Sequence, residues 1–213
     1  LESNNTPPKT FARINTLNFD KTAAAPDERR VRRGVPEKIR EIGDFLAFWR
    51  DEGVEYDFIS RDWTGDGLVF ELRSHPPLAT LESFQKGWFY IQDPSTVLAV
   101  RELDPKPGET VLDLCAAPGG KATYIAQLMN NTGRVVAHDN VPARLKLVQE
   151  NVTRLGVTCV ETASILDSRP SPLDRILVDA PCSNTGVLRR HVDLRWRIQP
   201  DEITRLRATQ LDL

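Results

Sequence analysis

Between residues 110 and 121 an apolar run stops abruptly at small residues, passes through Pro118-Gly119-Gly120, and gives way to helical spacing. A strand, a tight turn and a helix N-terminus in that order constrain the fold more than any other stretch of the chain. The first backbone N–H groups of such a helix have no partners within it and point at whatever lies across the turn. The unit is also how an open, helix-wound sheet begins, and in such sheets ligands bind beyond the carboxyl ends of the strands.

The pattern then repeats. Ala122, Ile125, Ala126 and Met129 mark one face of a helix that ends at Asn130-Asn131-Thr132-Gly133. Residues 134–138 read as a second strand closed by Asp139. Pro142 opens a second helix with Leu145, Val148, Val152 and Leu155 on its buried face, and Gly156 stops it. Residues 158–162 and 175–178 supply third and fourth strands. Strands alternating with helices predict a doubly wound, mostly parallel α/β sheet.

Upstream the pattern is different. Residues 11–17 alternate as a short strand does, and a basic run follows at Arg29, Arg30, Arg32 and Arg33, readable as a solvated linker or a phosphate-contacting patch. Ile39, Ile42, Phe45, Leu46 and Trp49 predict a helix over residues 36–52, with Gly53 as its stop. Residues 54–59 and 68–72 read as strands around Gly65-Asp66-Gly67. With His75-Pro76-Pro77 as the boundary, residues 1–75 form a small N-terminal α+β domain and residues 76–213 the α/β domain. The aromatic stretch 84–92 is expected to pack against that second domain. Asp93 caps, and Pro94 opens, a helix that runs to about Leu103.

A chain of 213 residues with 40% hydrophobic and 27% charged residues can bury a substantial core, so disorder is not the default. No apolar run approaches the roughly 20 residues of a membrane-spanning helix. Its start lacks both a signal peptide and an initiator Met, which suggests a piece of a longer protein. Three scattered cysteines do not make a disulfide framework or a zinc knuckle, and a reducing cytoplasm is the expected setting; no metal is predicted. The formal net charge of -2 gives nucleic-acid binding no overall help, so any such binding must rest on local clusters. Nothing in the sequence sets an oligomeric state.

The predicted strand ends are rich in acids. Asp139 lies one strand–helix–strand repeat beyond Gly119, where a carboxylate can accept from ribose hydroxyls, and Asp179 closes the fourth strand. Asp167 stands a few positions beyond the third. A nicotinamide cofactor would require G-x-G-x-x-G, and the turn carries Ala-Ala-Pro-Gly-Gly-Lys instead. A bare tight turn is the plainer alternative for Gly119 and Gly120.

The whole string Asp113-Leu114-Cys115-Ala116-Ala117-Pro118-Gly119-Gly120-Lys121 is more specific. It resembles the S-adenosylmethionine-binding motif of the Sun/Rsm and nucleolar family of RNA cytosine-5 methyltransferases. Asp179-Ala180-Pro181-Cys182-Ser183, continuing through Asn184, Thr185, Gly186, Val187 and Leu188 to Arg189-Arg190-His191, is similar to the second motif of its bacterial 16S rRNA members. The later Asp193 and Trp196 belong to that second likeness, and Arg13-Ile14-Asn15-Thr16-Leu17 and Gly87 with Gln92-Asp93 agree more weakly.

That resemblance implies a Rossmann-like S-adenosylmethionine-dependent methyltransferase sheet, an S-adenosylmethionine cofactor and an RNA substrate, expected to be ribosomal. Cys115, Ala116, Ala117, Pro118, Gly119, Gly120 and Lys121 would wrap the methionine part and ribose. Asp139 would hold the ribose hydroxyls, Asp167 would face the adenine, and Asp179 would lie near both cofactor and base. Asp113 is alternatively a structural residue that caps the loop amides. Cys182 would be the family's release cysteine rather than the attacking thiol.

Chemistry gives these residues work. Carbon 5 of cytosine is a poor nucleophile until a thiolate adds to carbon 6, and the base must be unstacked to be reached. Asp179, at the end of a buried strand, is expected to have its pKa raised by desolvation and to donate a proton. Lys121 would neutralise Asp179 or lower a thiol pKa. Arg189, Arg190, His191, Arg195 and Arg197, with Trp196 among them, suit RNA phosphates and base stacking, against the plainer reading of a solvated loop.

The family's attacking cysteine belongs to a later Thr-Cys motif, and none follows before Leu213. The expectation is therefore a chain with the C-terminal part of the sheet missing and without its nucleophile. Cys115 and Cys159 are not expected to replace it. Two rivals stand beside the enzyme reading: a cofactor- or RNA-binding fragment without turnover, and a nicotinamide-dependent oxidoreductase.

Overall fold

The computed structural model describes residues 8–19, 39, 41–64, 68–164, 172–187, 193, 196 and 198–213. The first unit is an antiparallel sheet of β1 (Thr10–Ile14), β2 (Glu55–Phe58), β3 (Val69–Ser74) and β4 (Phe89–Ile91), in the order β2-β3-β1-β4. Helix α1 (Ile42–Asp51) lays Phe45 and Trp49 on it, where they pack with Phe70, Trp88 and Phe89. The Trp49 and Phe89 rings meet edge to face at 5.1 Å between centroids, a favoured aromatic geometry.

Two expectations change here. The helix predicted over residues 36–52 begins at Ile42, because Ile39 is held by a bridge to Phe19, its N–H bonded to the Asn18 carbonyl at 3.2 Å. Helical spacing alone does not reveal that tertiary pairing. The sheet also extends past His75-Pro76-Pro77: β4 pairs with β1, and short helix α2 (Glu82–Gln85) precedes it. The aromatic stretch accordingly divides, with Trp88 and Phe89 in the first core and Tyr90 in the second. The basic run at Arg29, Arg30, Arg32 and Arg33 and the Gly65-Asp66-Gly67 turn lie outside the described residues.

Asp93 accepts from the Ser95 N–H, and Pro94 opens helix α3 (Pro94–Leu103). The second sheet follows, with β5 (Thr110–Asp113), β6 (Arg134–His138), β7 (Val160–Ala163) and β8 (Arg175–Leu177) all parallel, in the order β7-β6-β5-β8. Helix α4 (Gly120–Leu128) carries the chain from β5 to β6, and α5 (Pro142–Arg154) from β6 to β7. The chain runs outward through β5, β6 and β7 and then returns to the other side of β5, so the order reverses beside the first glycine turn. A crevice at that reversal is where open α/β sheets bind ligands.

The third strand starts two residues later than its sequence suggests, since the Thr158 N–H bonds Asn131 Oδ1 (3.0 Å) rather than a strand. Strand β8 is an edge of the sheet among the described residues, and Ile176 and Val178 are each 53% exposed. A last helix, α6 (Pro200–Leu211), buries Leu206.

The two units are joined by buried polar groups. Asn15 Nδ2 donates to the carbonyls of Gly87 (2.9 Å) and Leu155 (2.7 Å). Arg154 Nη1 donates to the Phe84 (2.8 Å) and Phe89 (3.1 Å) carbonyls, with its guanidinium 4.0 Å from the Phe84 ring centroid. Gly87 at φ +68° allows the close approach, for a Cβ there would sit 1.8 Å from the Arg154 carbonyl oxygen.

Candidate cofactor and catalytic site

The loop after β5 is held on several sides. The Leu114 N–H bonds the Leu177 carbonyl (2.9 Å), the Ala116 N–H the His138 carbonyl (2.8 Å), and the Gly119 N–H closes the turn on the Ala116 carbonyl (2.7 Å). From α5, Arg144 Nη2 donates to the Ala117 carbonyl and Asn151 Nδ2 to the Pro118 carbonyl, both at 3.0 Å. Gly119, at φ +103°, caps α4 in the left-handed region, and a Cβ there would meet the Val148 backbone at 3.2 Å. A Cβ on Gly120 would lie 2.9 Å from the Tyr90 ring. Gly119 thus serves both the turn and close packing, and Gly120 the close packing alone.

A cavity of about 310 Å³ opens beside this loop. It is lined by Cys115, Ala116, Ala117, Pro118, Gly120 and Lys121 of the loop, by Tyr90, Gln92, Asp93 and Thr96 from the segment around the end of β4, and by Asp179. The cavity is therefore shared between the end of the first sheet and the turn of the second.

Lys121 and Asp179 form an ion pair. Lys121 is largely covered, at 16% exposure, whereas the Asp179 side chain is 55% exposed. Asp179 follows β8, which is an edge strand among the described residues, and so stands more open than an acid at an interior strand end. Desolvation falls on Asp113, fully buried at the end of central β5. Burial pushes its pKa up to about 7. Lys121 and the Cys115 and Ala122 amides oppose that rise, while the Asp179 charge adds to it.

Asp139 is buried at the end of β6. One oxygen accepts from the Val141 N–H (3.0 Å), and the other pairs with Arg144 Nη1 (3.2 Å). Each oxygen has a further lone pair to offer, so the carboxylate can still accept from hydroxyls. It does not line the cavity but stands one strand along from it, across the Ala116–His138 link.

The three cysteines differ in setting. Cys182 is exposed, its thiol donating to Asn184 Oδ1 at 3.6 Å. Its turn is tethered by α6, where Gln210 Nε2 donates to the Pro181 carbonyl at 2.6 Å. Burial and the surrounding Asp139, Asp113 and Asp179 push the Cys115 thiol pKa up, which keeps it protonated. Cys159 precedes β7, at the opposite end of the sheet from the loop, and burial pushes its pKa up too. Although Thr158-Cys159 is a Thr-Cys pair, its place in the sheet removes it from this chemistry.

Asp167 and the basic residues Arg189, Arg190, His191, Arg195 and Arg197 lie outside the described residues; Trp196, in their midst, is 80% exposed. Among the described residues no group of three or more His, Cys, Asp or Glu could hold a metal ion. Likewise among them, no helix is long and apolar enough to cross a membrane. Sequence reading missed Arg144, Asn151, Tyr90 and Gln210, whose roles are contacts to carbonyls and a glycine across chain separations that no local pattern encodes.

The family model for the 16S rRNA methyltransferase RsmB/F matches residues 100–213, which include both the glycine turn and the Asp179-Ala180-Pro181-Cys182 turn. The chain belongs to this RsmB/F family. Similarity to individual members reaches further toward the N-terminus. The probable ribosomal RNA small subunit methyltransferase B of Bacillus subtilis is 46% identical over 214 residues, covering 97% of this chain and 42% of that protein. The mouse 28S rRNA (cytosine-C(5))-methyltransferase is 37% identical over 218 residues, covering 100% of this chain and 24% of that protein. The crystal structure of PH0851 superposes with a TM-score of 0.75 at 29% identity, covering 96% of this chain and 42% of that one. The RsmB/F chain described here thus spans less than half the length of these relatives. The α/β unit is a Rossmann-like methyltransferase sheet, as its sequence predicts.

Proposed function

We propose that this chain is part of an RNA (cytosine-5) methyltransferase that uses S-adenosylmethionine and acts on ribosomal RNA. One observation carries the reading: Asp179, the first residue of the Asp179-Ala180-Pro181-Cys182 turn, lines the same cavity as the glycine turn and pairs with Lys121 across it. The residues fit the cofactor's chemistry. The first-turn amides of α4 suit a carboxylate such as that of the methionine part, and Asp139 retains lone pairs for ribose hydroxyls. Asp167 is assigned to the adenine side on the family pattern. When bound, S-adenosylmethionine supplies an electrophilic methyl group on a sulfonium.

In this reading Lys121 and Asp179 hold the far end of the cavity, and Asp179 hydrogen-bonds the inserted cytosine near ring nitrogen 3 and its exocyclic amine. An attacking thiolate would add to carbon 6 and make carbon 5 nucleophilic toward the cofactor's methyl group; a base would then take the carbon 5 proton, and the carbon 6–sulfur bond would break with its electron pair leaving as thiolate. Cys182 serves that last release, and the attacking thiol comes from the family's Thr-Cys motif. Arg189, Arg190, His191, Arg195 and Arg197 provide phosphate contacts beside Trp196. The unpaired cysteines suit a cytoplasmic setting.

Calorimetric titration with S-adenosylmethionine and with NAD tests the cofactor assignment. S-adenosylmethionine is expected to bind, and binding of NAD alone would refute the proposal in favour of an oxidoreductase. In the longer protein, Cys182→Ala is expected to leave a long-lived covalent protein–RNA adduct on a denaturing gel. Loss of all adduct would instead make Cys182 the nucleophile.

A further inference from the structure

Arg13 is an arginine of the first sheet that reaches the second. It is 1% exposed, and among the described residues no carboxylate pairs with it. Its Nε donates to Gln92 Oε1 (2.7 Å), its Nη1 to Gln127 Oε1, and its Nη2 makes a long contact of 3.4 Å to Thr123 Oγ1. The guanidinium carbon lies 4.6 Å from the Tyr124 ring centroid and 5.9 Å from that of Tyr90. A buried cation without a counter-charge is a poor device for stability, since an apolar side chain of similar volume commonly does as well. Its donors therefore invite the question of what they hold in place.

Two routes lead from Arg13 to the glycine turn. Thr123 Oγ1 lies 2.8 Å from the Gly119 carbonyl and 3.2 Å from that of Gly120. A hydroxyl has one hydrogen, so accepting from Arg13 leaves Thr123 to spend it on the turn. The second route is steric: the Tyr90 ring beside Arg13 abuts Gly120, where any Cβ would come within 2.9 Å. Tyr90 and Gln92, the latter held directly by Arg13, also line the cavity beside the turn.

We propose that Arg13 is a positioning residue: from the N-terminal sheet it sets, through Thr123 and Tyr90, the shape of the Gly119-Gly120 turn and the width of the cavity beside it. The N-terminal unit then contributes to cofactor affinity without touching the cofactor. This rests on reading the turn as the S-adenosylmethionine site.

The test uses the whole chain, with Arg13→Met and Thr123→Val as variants, and two readouts. The first is amide hydrogen exchange of residues 119–123 without ligand; the second is the dissociation constant for S-adenosylmethionine. Each variant is expected to keep its melting transition, to exchange faster in the turn and to bind about tenfold more weakly. The double variant is expected to be little worse than Arg13→Met, because both act on one route. Arg13→Lys, which keeps the charge and loses the fork, is expected to stay weak. A folded Arg13→Met chain with unchanged exchange and affinity would overturn the proposal; if that variant does not fold, unchanged exchange in Thr123→Val overturns it. A wild-type chain that binds no S-adenosylmethionine overturns the functional reading instead, so the two failures are distinct.

Discussion

Replacing Asp113 by Asn removes the one ionisation that this sheet most resists. The carboxyl rises from its ordinary value of 3.8 to about 7, chiefly because it is fully buried at the end of β5. In the unfolded chain it ionises near 3.8, so between about pH 4 and pH 7 the native state holds a proton that the unfolded state has lost. Raising the pH through that window therefore costs the native state stability, and above about pH 7 the cost is complete and constant. At about 1.4 kcal/mol per tenfold change in proton affinity, the full rise corresponds to about 4 kcal/mol, of which about 3 kcal/mol falls between about pH 5 and pH 8. Asn is neutral throughout and similar in shape. Asp113→Asn is accordingly expected to exceed the parent by about 1 kcal/mol near pH 5 and by about 4 kcal/mol near pH 8. Urea denaturation of both ligand-free chains at those pH values measures the difference. Equal pH dependence in the two chains would refute the argument, because it would mean that Asp113 ionises alike in the folded and unfolded states.

Lys121→Met removes the largest charge that holds the Asp113 pKa down, so the midpoint of the pH-dependent loss of stability is expected to move above about 7, as read from the same denaturation series. Gly87→Ala would drive a Cβ into the Arg154 carbonyl from a left-handed backbone, and a loss of roughly 3 kcal/mol or more is expected in urea unfolding. Asp139→Asn keeps an acceptor for the Val141 N–H but gives up the charge facing Arg144. On the proposed reading it is expected to weaken S-adenosylmethionine about tenfold or more by calorimetry, with little change in melting temperature.

Why some features were legible in sequence follows from their range. The β5–α4–β6–α5–β7 series is written in local periodicity and in its stops at Gly133, Asp139 and Gly156, because strand and helix alternation must recur within each unit's own length. The two turns that carry the candidate chemistry are contiguous motifs, so residues 113–121 and 179–183 could be identified together with the family they resemble. Asp139 was found by spacing alone. Even the Lys121–Asp179 pair was foreseeable, since Lys121 opens the helix after β5 and Asp179 follows the neighbouring strand β8.

What local pattern could not contain was decided by packing between distant segments. Ile39 has helical spacing, yet it is captured by Phe19; β4 lies past an obvious Pro-Pro boundary, yet it completes the first sheet. Two acids end neighbouring parallel strands, and sequence treats them alike. Among the described residues the tertiary structure buries Asp113 at the centre of the sheet and leaves Asp179 half-exposed beside its edge, so strong desolvation falls on Asp113. Arg13 and Gly120 are separated by over a hundred residues, and only the docking of the two sheets sets the Tyr90 ring and Thr123 hydroxyl between them. Local periodicity and contiguous motifs determine which elements form and which turns face a ligand. Burial and long-range contact decide which carboxylate keeps its proton and which residues hold those turns in shape, because dielectric environment and close approach are properties of the assembled interior and not of any stretch of chain.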